Sequence, residues 1–162
     1  YYHVETGIRG NRLWVSGRHI YITTAEGLSI YDIGNPAEPA LVGKASITGG
    51  AAAITLAYPY AYLSLATDQG VAVVDVSLET APEVLGTLMT DDALLGIGAR
   101  SGYAFAGSAS GDLSVIDVRQ SGSPEPYSQL SLDGSLADVD VTDQWAYVAA
   151  GDGGLKVLRI AH

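Results

Sequence analysis

The chain has 162 residues, 48% hydrophobic and only 16% charged, a globular composition with enough length for one domain and a real core. Eight basic residues against 18 acidic ones leave a net charge of −10, too little positive charge to neutralise a nucleic-acid backbone. The lack of cysteine excludes disulfides, thiolate metal sites and a cysteine nucleophile, and no uninterrupted apolar run reaches the length of a membrane span.

The chain opens on Tyr1 and not on methionine, which we read as processing or excision, with any targeting signal lost ahead of it. Tyr1–Thr6 then reads as a strand, and Leu13–Ser16 as the next. Ile20-Tyr21-Ile22 and Gly27-Leu28-Ser29-Ile30-Tyr31-Asp32-Ile33 follow as two more. The second stretch parses into four strands, Ala53–Ala57, Tyr60–Leu65, Gly70–Val76 and Glu83–Met89. They are separated by Tyr58-Pro59, Asp68-Gln69-Gly70 and Glu79-Thr80-Ala81-Pro82, all turn chemistry. The pattern returns as Ala104-Phe105-Ala106 with Asp112–Val118, and again as Ala146-Tyr147-Val148 with Gly154–Ile160.

Two markers keep the same step. The aspartates Asp32, Asp75 and Asp117 are 43 and 42 residues apart, and Arg159 follows 42 later. The centres Tyr21, Tyr62, Phe105 and Tyr147 step by 41, 43 and 42. Four short antiparallel strands per repeat of this length predict propeller blades, and no helical period competes with them. The expected fold is all-β: one four-bladed β-propeller of four-stranded antiparallel blades. Blade 1 is expected at about 11–47, blade 2 at about 52–89, blade 3 at about 94–132, and blade 4 at about 136–162 plus 1–6.

Alternation gives the blade packing. His19 and Tyr21, Tyr60 and Tyr62, Tyr103 and Phe105, and Trp145 and Tyr147 share one face; Ile20, Ala61, Ala104 and Ala146 lie on the other. A large face can therefore pack on the small face of the next blade. The fourth repeat ends at His162 without an outer strand, and Tyr1–Thr6 supplies one, so pairing of the two termini would close the ring and remove exposed edges. The monomeric, self-closed ring is expected. Two chains exchanging end strands into an eight-bladed ring satisfy the same arithmetic, as does a segment of a longer propeller.

Val73-Val74-Asp75-Val76-Ser77, Ile30-Tyr31-Asp32-Ile33 with Asn35-Pro36, Tyr60-Ala61-Tyr62 and Trp145-Ala146-Tyr147-Val148-Ala149 resemble the LVIVD-repeat family over nearly the whole chain. The resemblance implies a β-propeller and no reaction. It also implies an extracellular or cell-envelope setting, since the family occurs mainly in bacterial and archaeal surface or exported proteins. Arg159 and Gly122-Ser123-Pro124-Glu125-Pro126 depart from the pattern, so the fourth blade and third turn are expected to be irregular copies. The repeated aspartates end a strand before a turn, where a carboxylate accepts backbone N–H groups.

Chemistry is sparse. His19 lies on the aromatic face as a packed or rim residue, whereas His3 and His162 would approach each other only at closure. At one propeller end the loops carry Asp91, Asp92, Asp133 and Asp138, oxygen-rich positions of the kind calcium takes, or else solvating turn residues. No other cofactor is expected. Glu26, Asp68, Asp112 and Asp152 read as hairpin residues. At the opposite end Tyr58, Tyr60, Tyr103, Trp145 and Arg100 would cluster, the residue types that binding surfaces use. The expected function is a non-catalytic interaction or scaffold module holding a protein or glycan by its end loops. The alternatives are an enzyme or small-ligand site at the four aspartates, with or without calcium, and a structural tile joined by exchanged strands.

Overall fold

A computed structural model of the chain describes residues 7–160. Strands β1 (Leu13–Ser16), β2 (His19–Thr24), β3 (Gly27–Asp32) and β4 (Ala40–Ser46) form one antiparallel sheet in sequence order. The second sheet is β5 (Ala51–Ala57), β6 (Tyr60–Leu65), β7 (Gly70–Asp75) and β8 (Glu83–Met89). The third is β9 (Leu94–Arg100), β10 (Tyr103–Ser108), β11 (Asp112–Asp117) and β12 (Glu125–Ser131). Among the described residues the fourth has three strands, β13 (Asp138–Val141), β14 (Trp145–Ala149) and β15 (Leu155–Arg159). The described residues include no helix long and apolar enough to cross a membrane.

These are the blades the repeat predicts, and blade 3 is as regular as its neighbours despite its altered turn. The hairpins are tight because the sequence supplies the dihedrals they need. At β9–β10 both Ser101 (φ +52°) and Gly102 (φ +81°) are left-handed, the geometry that matches a two-residue loop to the twist of its strands. The expected pairing of Tyr1–Thr6 with the last strand, and the approach of His3 to His162, lie outside the described residues.

Each complete blade carries the same irregularity. The β3–β4, β7–β8 and β11–β12 ladders all slip at the second residue before the closing aspartate, leaving Val42, Leu85 and Tyr127 unpaired on the outer strand. Such a bulge bends and twists the outer strand.

Packing follows the predicted alternation. Tyr21, Leu28 and Ile30 of blade 1 share a core with Ala61, Leu63 and Val74 of blade 2. Tyr62, Val71 and Val73 of blade 2 share the next with Ala104, Ala106 and Ile116, and Phe105 and Leu113 share a third with Ala146 and Val148. Burying each of the Val, Leu, Ile and Phe side chains among them contributes roughly 1.5–3 kcal/mol. Polar contacts register the blades. Thr23 Oγ1 and Asn11 Nδ2 donate to the carbonyls of Ala52 and Ala51, at 3.0 and 2.8 Å, and Leu136 N donates to Ser108 O at 2.9 Å. Glycine sets the outer spacing: a Cβ on Gly43 would lie 2.0 Å from Glu79 O, and one on Gly86 2.8 Å from Gly122 O, so the next blade's turn sits where a side chain would be.

Candidate functional site

The repeated carboxylates are turn locks. Asp32, Asp75 and Asp117 accept the backbone N–H two residues on, from Gly34 at 2.7 Å, Ser77 at 2.8 Å and Arg119 at 3.0 Å. The Gly34 amide, then the Arg18 guanidinium, holds Asp32 below the ordinary carboxylate range. Hydrogen bonds from Ser77 and from Arg119 lower Asp75 and Asp117 in the same way. Arg159 stands at the same register place, opposite Trp145 as Asp75 is opposite Tyr60.

The second strand of every blade starts at one end of the molecule, and that end gathers the aromatic candidates. They divide by burial. Tyr58, on the hairpin between β5 and β6, is 64% exposed, with its hydroxyl 3.4 Å from Ser77 O. Trp145 is 38% exposed, and Arg100 reaches across to Asp143 of the next blade at 2.6 Å. Tyr60 and Tyr103 are half-buried instead. Tyr60 stands edge-on to Tyr62 at 6.5 Å and packs on the second core; Tyr103 packs on the third. His19 is half-buried with Nδ1 3.7 Å from Glu79 Oε1, a rim contact between blades 1 and 2.

Sequence reading missed a neighbouring cluster. Tyr127, the bulged residue of β12, packs against Tyr103 with ring centroids 5.0 Å apart and planes tilted by 59°, and the Arg119 guanidinium lies 5.3 Å above the Tyr103 ring while pairing with Asp117. The signal was the repeat step from Val42 to Leu85 to Tyr127, 43 and then 42 residues, which places an aromatic where the other blades have aliphatics.

The acidic end is less convergent. Asp91 and Asp92 line a groove of about 300 Å³ together with Asp112, Ser108 and Ser114. Ser110 Oγ donates to Asp92 at 2.6 Å, and Ser131 Oγ donates to Asp112. Asp133 and Asp138 do not line this groove; both are exposed, and Asp138 accepts from Val139 N at 3.0 Å. Among the described residues no three carboxylates or histidines gather closely enough to hold a metal ion. A larger groove of about 410 Å³ runs beside β15, lined by Phe105, Val115, Tyr127, Leu130 and Leu158.

The profile of the LVIVD repeat matches residues 9–46, 48–90 and 133–161, passing over the third blade, which nonetheless forms a complete sheet. No curated protein matches the chain in sequence. In structure it is similar to the computationally designed Ika4 protein, at 16% identity and a TM-score of 0.75 over 98% of this chain and 97% of that one. It is similar to the computationally designed Ika8 protein, at 16% identity and 0.76, over 97% of this chain and 48% of that one. It is also similar to BamB from Moraxella catarrhalis, at 17% identity and 0.70, over 91% of this chain and 42% of that one. The chain thus spans about half the length of the last two. These neighbours are β-propellers, and the likeness shows the fold.

Proposed function

This chain belongs to the LVIVD-repeat family, and on that footing we propose that it is a non-catalytic interaction module of an exported or cell-surface protein, holding a protein or glycan at its aromatic end. One observation carries the reading: Tyr58, Arg100 and Trp145 stand exposed at the same end of successive blades, an end where in blades 2 and 3 the turns after Asp75 and Asp117 are locked by their carboxylates. Large amphipathic rings and guanidinium groups on a rigid support give contact area at little ordering cost. The loops can vary without disturbing the strands beneath them.

The test is capture from the envelope fraction of the source organism. The unmodified chain is compared with a Tyr58→Ala/Arg100→Ala variant and with Asp91→Asn/Asp92→Asn at the other end. Loss confined to the first variant is the expected result. Equal capture by all three would place binding elsewhere, and loss confined to the aspartate variant would favour a ligand at the acidic end.

A further inference from the structure

The joint between blades is made three times among the described residues, and there its two halves stand uncovered on blades 1 and 4. Tyr147 faces Val157 across the β14–β15 ladder as Tyr21 faces Ile30, Tyr62 faces Val73 and Phe105 faces Val115. Yet Tyr147 is 37% exposed, against 2%, 5% and 6% for the other three. Leu155 is 68% exposed, whereas its counterparts Leu28, Val71 and Leu113 do not exceed 2%. The complementary half lies on blade 1. There Leu13 pairs with Ile22 as Ile54 pairs with Leu63, and Val15 with Ile20 as Leu56 with Ala61. Leu13 and Val15 are 59% and 52% exposed, and Leu13 and Ile22 line an open hollow of about 390 Å³. The equivalent residues of blade 2, Ile54 and Leu63, share a core with Tyr21.

We propose that a second copy of this chain seats Tyr147, Leu155 and Val157 of its fourth blade on Leu13, Val15 and Ile22 of the first, twice over, making one closed ring of eight blades. Three observations favour a second copy over closure of one chain on itself. Consecutive blades pack through their inner strands, β1 on β5, β5 on β9 and β9 on β13, whereas β13 and β14 make at most marginal contact with β1 and β2. The four-blade arc superposes on about half of Ika8 and of BamB, so its curvature leaves room for as many blades again. Charge also complements: Asp140 stands opposite Tyr147 on the exposed side of β13, and Arg12 lines the blade 1 hollow. Two complementary faces that make at most marginal contact with each other within the described residues are both covered at once by a symmetric exchange between two copies.

Light scattering coupled to gel filtration tests this. The unmodified chain should elute at twice its 16.8 kDa mass. Tyr147→Glu on blade 4 and Val15→Glu on blade 1 should each give the single-chain mass with the β-sheet circular dichroism intact. Leu78→Glu, at an apolar residue 59% exposed on an outer turn, should remain paired. An equimolar mixture of Tyr147→Glu and Val15→Glu keeps one unaltered joint per pair, so part of the double mass should return. A single-chain mass for the unmodified protein at 100 µM (a concentration set by the experimenter) would overturn the proposal. So would a double mass that survives both glutamate substitutions.

Discussion

Tyr62 and Tyr147 are the same residue at the same ladder position in blades 2 and 4. One is 5% exposed inside a joint and the other 37% exposed on a face that the described residues leave uncovered. Strand chemistry and register agree between them, so local sequence makes the blade. Burial depends on the neighbour, and the joint is what converts a row of marginal sheets into a stable body.

The largest effect expected from this contrast is on the interior tyrosine. Tyr62→Ala should cost roughly 3–5 kcal/mol in chemical denaturation, because the surrounding valines and alanines cannot collapse into the space. Tyr147→Ala, measured in the single-chain Val15→Glu background, should change stability by no more than about 0.5 kcal/mol. Equal losses at the two positions would erase the distinction between joint and open face. Gly43→Val comes next. Its Cβ would meet the Glu79 carbonyl, so about 1–3 kcal/mol should be lost although no contact is removed.

The turn carboxylates give a smaller, pH-dependent effect. Asp32, Asp75 and Asp117 are held below their ordinary value of 3.8 in the folded chain. A depressed carboxyl favours the folded state while ionised, so its contribution is complete above the unfolded value and disappears as pH falls through the folded one. Replacing all three by asparagine should lower the melting temperature at pH 7 and flatten its decline below about pH 4. An unchanged acid limb would mean that the locks contribute nothing. Last, melting in millimolar calcium should match melting in EDTA, since no three carboxylates gather among the described residues. A rise of several degrees with calcium would favour the alternative, a ligand site at the acidic loops.

Much of the architecture was legible because each strand carries its own evidence. The Tyr21, Tyr62 and Phe105 series announced the packed face, and the aspartate step announced turns in which each carboxylate accepts backbone N–H groups; the structure adds that the donor is the amide two residues on. What escaped reading depends on residues one repeat apart meeting in space. Gly43 and Gly86 look like ordinary strand glycines until the turns of the following blades are laid against them. Asp112 reads as a hairpin residue, yet it lines the same groove as Asp91 and Asp92, while Asp133 and Asp138 lie outside it. Tyr60 and Tyr103 share a phase with exposed Trp145 and are half-buried, since exposure at a blade end depends on what packs beside it.

The outer-strand glycines bear on how such wheels vary in diameter. Position 128, which matches 43 and 86 in the ladder, holds serine, so blade 3 carries a side chain at the place where blades 1 and 2 leave room for the turn of the blade that follows. One small side chain per module at this place would act as a shim between neighbouring spokes. Lineages could widen or tighten the circle by exchanging glycine for a small side chain there, leaving hub and rim loops untouched.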